Sequence, residues 1–219
     1  MTPDNGRTSG HVVLLGDSIF DNGAYVRAGE PDVVAQLRAD LPAGWRASLA
    51  AIDGAVTADV ARQLSSVPSD ASHLVVSVGG NDALRASGVI EERLGSMAEA
   101  LARLDGIREA FARAYEAMLA ALLAAGKPAA VCTVYDPSYP DPRRQRLAVT
   151  ALAAINDVIL RLAIGRGLPV IDLRLVSNEP ADYANPIEPS ARGGEKIAAS
   201  IASLVLNHDF AAGRTAVFR

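Results

Sequence analysis

The chain alternates short, almost wholly apolar runs with longer amphipathic segments, and this alternation restricts its fold more than any other feature. The apolar runs are five or six residues long, as in strands covered on both faces, and they span 11–15, 47–52, 74–78, 129–134 and 168–173. The segments around them carry apolar residues at helical spacing and span 31–39, 57–65, 97–125, 142–166 and 193–206. Strands that alternate with helices indicate a parallel sheet with helices on both faces. Since five strands are too few for an eight-stranded barrel, the sequence predicts an open, doubly wound α/β sheet.

Length and composition favour one folded domain. The chain has 219 residues, of which 50% are hydrophobic and 21% are charged. A chain of this size buries a sufficient core without a disulfide or a metal. Its single cysteine, Cys132, excludes an intrachain disulfide and lies in an apolar run, which indicates a buried thiol. We expect residues 11–206 to form the domain, residues 1–10 to be a flexible N-terminus and residues 207–219 to be a C-terminal tail.

Charge and hydropathy argue against several classes of partner. The formal net charge is −4 and only 5% of residues are aromatic, which disfavours a nucleic-acid-binding surface. The first ten residues are polar, unlike a signal peptide, and the Ala-rich segment 110–125 is interrupted by Arg113 and Glu116 before it reaches the length of a membrane span. We therefore expect a cytoplasmic protein that binds neither nucleic acid nor a membrane. The long Ala-rich helix 97–125 is also a candidate face for a homodimer.

Glycines and polar side chains follow the first three predicted strands. The three turns read Gly16-Asp17-Ser18, Asp53-Gly54 and Gly79-Gly80-Asn81-Asp82. Because the carboxyl ends of parallel strands share one edge, where such sheets bind ligands, we expect these turns to lie together. A serine at the start of a helix can attack an acyl carbon, and the Asn81 amide can donate to the resulting oxyanion. The simpler interpretation makes Ser18 a helix N-cap and the other motifs ordinary turns.

The three motifs, in this order, resemble those of the SGNH (GDSL-type) hydrolases, and the resemblance extends from about residue 11 to residue 206. It implies a three-layer α/β/α sandwich of the flavodoxin-like type, with a five-stranded parallel sheet in the order 2-1-3-4-5. It also implies an esterase, lipase or acyl-transfer activity. Matched by position, Ser18 is the nucleophile and donates to the oxyanion through its own N–H. Gly54 is the second donor through its N–H, and Asn81 is the third through its side chain.

The fourth block of the family usually reads Asp-x-x-His-Pro shortly before the last helix, and here the sequence departs from it. The corresponding segment places Asn185 where the aspartate belongs and Glu188 where the histidine belongs. The three histidines, His11, His73 and His208, fall at the amino ends of predicted strands or in the C-terminal tail.

Glu188 is therefore the candidate base. A glutamate has a reference pKa of about 4.3 against about 6.5 for histidine, which weakens it as a base unless burial or the nearby Asp17 raises its pKa. The simpler interpretation is a local contact of Glu188, for example with Arg192.

The leading hypothesis is a serine hydrolase that cleaves a small carboxylic ester, or transfers its acyl group, through an acyl-Ser18 intermediate. Asp17, Asp82, Tyr135 and Asn185 are the candidate substrate-binding residues. The alternative is a weakly active or inactive relative that binds a small acylated or anionic ligand in the same crevice.

No nucleotide-, phosphate- or zinc-binding motif occurs, so we expect no cofactor and no metal. Asp17, Asp82 and Glu188 are the only candidates at this edge for a chance cation site. The arginines Arg143, Arg144 and Arg146 form either a solvated helix face or a site for an acidic substrate group. The predicted loops 19–30, 83–96 and 135–142 surround the crevice, but they do not identify the acyl group or the alcohol.

Overall fold

A computed structural model describes residues 9–219. The strands are β1 (Gly10–Gly16), β2 (Trp45–Leu49), β3 (His73–Ser77), β4 (Ala129–Cys132), β5 (Val170–Ile171), β6 (Tyr183–Asn185), β7 (Glu188–Pro189) and β8 (Val217–Phe218). Six of them form one wholly parallel sheet in the order β2-β1-β3-β4-β5-β8. The other two, β6 and β7, form a small antiparallel hairpin.

Helices cover both faces of the sheet, as the alternation of the sequence predicts. They are α1 (Val33–Asp40), α2 (Val60–Leu64), α3 (Gly80–Ala86), α4 (Met97–Ala124), α5 (Pro142–Ile164), α6 (Leu173–Val176) and α7 (Ala191–Asn207). One face of the sheet packs against α1, α6 and α7, and the other packs against α2, α4 and α5. The strand side chains are buried on both faces because each residue along β1 points alternately into one of these two cores.

The structure corrects the predicted number of strands from five to six. The expected order 2-1-3-4-5 is present, but β8 adds to its outer edge, where Val170 pairs with Val217. This strand comes from 207–219, the segment that we expected to be a tail. A strand of two residues has no alternation that a sequence pattern can reveal. Most of the predicted N-terminal segment 1–10 lies outside the described residues, and Gly10 already belongs to β1.

Among residues 9–219, one helix is long and apolar enough to cross a membrane by length and composition alone, and it is α5. We expected no such segment. Its inner face, which includes Ile155 and Ile159, packs in the core. Its outer face carries an ion pair between Asp157 and Arg161. A core helix meets the same length and composition test, so this finding is weak evidence for a membrane.

Candidate active site

Ser18 lies in the turn that follows β1, and the backbone of this turn is held on two sides. Gly16 has a φ of +122°, and a Cβ there would lie 1.7 Å from the carbonyl oxygen of Ser77, so the position requires glycine. The buried amide of Gln63 accepts from the Gly16 N–H at 2.7 Å and donates to the Gly16 carbonyl at 2.8 Å. The Asp17 N–H donates to Ser77 O at 3.1 Å. These contacts fix the direction in which the chain leaves β1.

Gln63 was not among the residues predicted from the sequence. Its one available signal was a polar residue three positions after the buried Val60, on the apolar face of a helix.

The predicted helix at Ser18 is wrong. Residues 18–20 form a turn, and α1 begins only at Val33. A helix instead begins directly after β3, where α3 starts at Gly80 with Asn81 in its first turn. The turn at Ser18 therefore provides individual N–H groups for a negative charge and no helix dipole of its own.

Ser18 and Glu188 are in direct contact although 170 residues separate them in sequence. The Ser18 hydroxyl donates to Glu188 Oε1 at 3.1 Å, and both residues are buried. Glu188 opens β7, immediately before the turn into α7. The Asn185 side chain accepts from the backbone N–H groups of Ile187 and Glu188 at 3.0 Å each, so it shapes the turn that carries Glu188. Arg192, considered above as a partner of Glu188, pairs with Glu179 and Asp182 instead.

The surroundings of Glu188 favour its neutral form. Burial raises its pKa to about 7, the negative charge of Asp53 adds to this rise, and the hydrogen bond from Ser18 opposes it. Its second oxygen, Oε2, is buried and has no hydrogen-bond partner among the described residues. A buried carboxylate oxygen without a donor is costly when charged. A carboxyl group with a pKa near 7 is well matched to proton transfer at neutral pH.

Asp17 is a second buried carboxyl group at this site. Burial raises its pKa to about 8, the hydrogen bond from the Ile19 N–H at 3.2 Å lowers it, and the charges of Glu188 and Asp82 raise it. We expected Asp17 to raise the pKa of Glu188. The repulsion between the two carboxylates is mutual, and it raises the pKa of Asp17, the group of the pair that loses its proton at higher pH, while Asp53 is the carboxylate whose charge raises the pKa of Glu188.

The turn after β2 lies next to Asn81. The Asn81 amide donates to the Ala55 carbonyl at 3.0 Å, and one of its two N–H groups is left for another acceptor. Gly54 is exposed and has a φ of +78°. The turn is held from the other side, because the Asp53 N–H donates to Asp21 at 2.9 Å and the Tyr25 hydroxyl donates to Asp53 at 2.8 Å.

The four candidate substrate-binding residues fall into two groups. Asp17 and Tyr135 line a cavity beside Ser18, and the Tyr135 hydroxyl donates to the Ile187 carbonyl at 2.7 Å. Asp82 and Asn185 are not among its lining residues. The Asp82 carboxylate accepts from the N–H and the hydroxyl of Thr57, at 2.9 and 3.0 Å.

The cavity has a volume of about 310 Å³, and Ser18, Asn81 and Glu188 are among the residues that line it. Gly54 is not among its lining residues. Its wall is mainly apolar and comes from α3, the 87–91 turn, α4 and α5, including Ala83, Leu84, Val89, Ile90, Leu104, Ile107, Leu152 and Ile155. The site therefore joins a buried serine–carboxyl pair to an apolar chamber.

The histidines lie near the amino ends of the strands, at the opposite end of the sheet from Ser18. His11 is five residues before Gly16 on β1, a separation of about 16 Å along an extended strand. His73 opens β3, its ring lies 5.1 Å from that of Phe210, and the His208 ring lies 4.9 Å from the same phenylalanine. Within residues 9–219, no group of three or more His, Cys, Asp or Glu side chains is placed to hold a metal ion.

Comparisons with known proteins agree with this architecture. A sequence profile described as the GDSL-like lipase/acylhydrolase family matches residues 14–196. No curated protein gives a significant match. An extracellular lipase from Streptomyces rimosus is similar in structure, with a TM-score of 0.61 and 23% identity over 86% of this chain and 96% of that one.

Two further solved structures are similar. A phospholipase A1 from Streptomyces albidoflavus has a TM-score of 0.63 and 20% identity, over 92% of this chain and 100% of that one. A carbohydrate acetylesterase from Sinorhizobium meliloti has a TM-score of 0.63 and 13% identity, over 90% and 98% of the two chains. These similarities show a shared α/β fold.

Proposed function

The chain belongs to the GDSL-like lipase/acylhydrolase family, and from this premise we propose that it hydrolyses carboxylic esters through an acyl-Ser18 intermediate with Glu188 as the base. The observation that carries the proposal is the 3.1 Å hydrogen bond from the Ser18 hydroxyl to Glu188, at the position where the family usually has histidine. A nucleophile in hydrogen-bond contact with a group that accepts its proton is the geometry that acyl transfer requires.

In the first half of the proposed reaction, the Ser18 oxygen attacks the carbonyl carbon of the ester while Glu188 takes the hydroxyl proton. The carbonyl oxygen becomes an oxyanion, which the N–H groups of Ser18 and Gly54 and the amide of Asn81 stabilise. Each such donor contributes about 10²–10³-fold in rate. Protonated Glu188 then gives its proton to the departing alkoxide. In the second half, water loses a proton to Glu188 and attacks the acyl carbon, the bond between that carbon and the Ser18 oxygen breaks, and protonated Glu188 returns the proton to this oxygen, which releases the acid and restores Ser18.

The substitution of glutamate for histidine also accounts for Asn185. A histidine base becomes a cation when it takes the proton, and a neighbouring carboxylate stabilises that cation. A carboxylate base becomes neutral, so it needs no charged partner. Asn185 binds the backbone of the turn instead, at 3.0 Å from the Glu188 N–H. The replacement of the family's aspartate by Asn185 and of its histidine by Glu188 is therefore consistent with a catalytic site in which the base becomes a neutral carboxylic acid when it takes the proton.

The cavity supports the proposal that the substrate is an ester with an apolar acyl group. Ser18 is one of its lining residues, and its wall consists largely of apolar side chains from α3, α4 and α5. Ligand pockets of this kind bind through buried apolar surface, and a few polar groups fix the orientation. A second candidate function is binding of a small acylated ligand without turnover, and the absence of histidine from the position of Glu188 is the observation that favours it.

A fluorophosphonate probe with peptide mapping separates these two functions. We expect the probe to label Ser18 in the native protein, and ester hydrolysis to fall at least 100-fold in Ser18→Ala. Ser87→Ala is the matched control, because Ser87 also lines the cavity but its hydroxyl donates to the Leu84 carbonyl. Failure of the probe to label Ser18, in protein that unfolds at the normal temperature, would overturn the proposal in favour of ligand binding.

A further inference from the structure

Far from Ser18, the side chain of another serine, Ser48, is hydrogen-bonded to a histidine. The Ser48 hydroxyl lies 2.6 Å from His11 Nε2, and His11 Nδ1 lies 3.1 Å from the Asp70 carboxylate. The three side chains thus form a continuous serine–histidine–aspartate row. They come from separate parts of the sequence: β2, β1 and the loop before β3.

This row lies near the amino ends of the strands, away from the cavity. His11 is the second residue of β1, whereas Ser18 follows the last. Ser48 lies on β2, the edge strand of the sheet, and is partly exposed. His11 is buried, which restricts its ring to one orientation.

The groups around His11 favour one of its two neutral forms. The Asp70 carboxylate, which only accepts hydrogen bonds, lies 3.1 Å from Nδ1 and favours the form that carries its proton there, whereas Arg46 Nη2, which only donates, is farther from the same nitrogen at 3.5 Å. Nε2 is then the bare nitrogen that faces the Ser48 hydroxyl. Burial and the positive charges of Arg46 and Lys127 lower the pKa of His11, which keeps its ring neutral near pH 7. A neutral imidazole oriented by a carboxylate is the arrangement that activates a serine.

We propose that Ser48 is a second activated serine, which accepts acyl groups from small activated esters with His11 as its base and Asp70 as a positioning residue. The Ser48 oxygen attacks the ester carbonyl, its proton moves to His11 Nε2, and the carbon–oxygen bond to the leaving group breaks. His11 then gives the proton to the leaving alkoxide. Arg46 lies on the same side of β2, two residues from Ser48, and is paired with Asp70.

The proposal is independent of the activity assigned to Ser18, and one experiment reports on both sites. The Ser18→Ala protein is treated with a fluorophosphonate probe, which forms an oxygen–phosphorus bond and releases fluoride. Trypsin cleaves after Arg27, Arg38 and Arg46, so residues 18 and 48 appear in different peptides. We expect label on Ser48 in Ser18→Ala and none on that peptide in Ser48→Ala.

The variants around Ser48 test the role of the histidine. His11→Asn should slow labelling of Ser48 at least 10-fold, since general-base catalysis contributes about 10²–10⁴-fold. Asp70→Asn changes an exposed side chain, so it tests the row even if His11→Asn does not fold, and it should slow labelling in the same direction.

Ser65→Ala is the matched control, because Ser65 is an exposed serine at the end of α2 whose hydroxyl donates to the Arg62 carbonyl at 2.6 Å, and its removal should leave labelling of Ser48 unchanged. An unlabelled Ser48 in folded Ser18→Ala protein, or a rate that neither His11→Asn nor Asp70→Asn reduces, would overturn the proposal.

Discussion

In the proposed mechanism, Glu188 determines the pH range of activity. Glu188 must be deprotonated to accept the Ser18 proton, and burial raises its pKa to about 7. We therefore expect kcat/KM for a p-nitrophenyl ester to rise with pH through about 7 and to level off above it. Glu188→Gln keeps the shape of the side chain but cannot take a proton, so it should lower kcat/KM about 100-fold or more and remove this rise. A stopped assay over pH 5 to 9, which avoids the titration of p-nitrophenol, measures both effects.

Two further variants at the same turn control for a purely structural role of Glu188. Glu188→His restores the family's usual base, but Asn185 provides no charge for the imidazolium, and loss of the orienting aspartate costs about 10⁴-fold in serine proteases. The single change should therefore gain little over Glu188→Gln. Adding Asn185→Asp should raise activity by more than the two separate effects combined, because the pair acts as a unit. Full activity in Glu188→Gln would mean that another group near Ser18 is the base.

At the scale of elements, the backbone connection from β1 into the turn that contains Ser18 requires a glycine at position 16. Gly16 combines a φ of +122° with a missing Cβ that would lie 1.7 Å from Ser77 O, whereas Gly29 has a φ of +88° with nothing within 4 Å of its missing Cβ. Backbone strain alone costs about 1–2 kcal/mol. We expect Gly29→Ala to lose about that much unfolding free energy in urea and Gly16→Ala to lose clearly more, because β1 and β3 must separate. Equal losses would show that the turn can shift to accommodate a side chain.

The elements also show why the sequence predicted some of this structure and not the rest. The long helices 97–125 and 142–166 were predicted within two residues of α4 and α5 because their periodicity repeats over many turns. Short elements carry no such signal, so β8 and the turn at 18–20 were missed.

The residues of the candidate site were likewise predictable only where a local pattern marks them. The order of the motifs placed Ser18 and Asn81 at the ends of neighbouring strands. The Gln63 contact with Gly16 joins two parts of the chain through space, and no local pattern marks its partner.

For the molecule as a whole, the two buried carboxyl groups of the cavity make stability depend on pH. In the unfolded chain Asp17 and Glu188 lose their protons near pH 4. In the folded protein their pKa values are about 8 and about 7, so between pH 4 and 8 the folded state binds more protons than the unfolded state. Over that range these groups make the free energy of unfolding fall as pH rises. Burial lowers the pKa of His11 and of His208, which gives the opposite slope, but only below about pH 6.5.

A comparison of variants isolates the contribution of the carboxyl groups. The double variant Asp17→Asn with Glu188→Gln keeps the shapes of both side chains but cannot ionise. Its Tm minus that of the wild type should rise from pH 5 to pH 8 by at least about 3 °C, the shift that about 1 kcal/mol produces in a chain of this size, and then level off. Glu195→Gln, at an exposed carboxylate on α7, controls for the loss of one negative charge. Thermal unfolding followed by circular dichroism at each pH gives the difference.

A difference in Tm that stays constant from pH 5 to 8 would mean that both carboxyl groups are already ionised in the folded protein. The rise of activity near pH 7 would then have to come from a group other than Glu188.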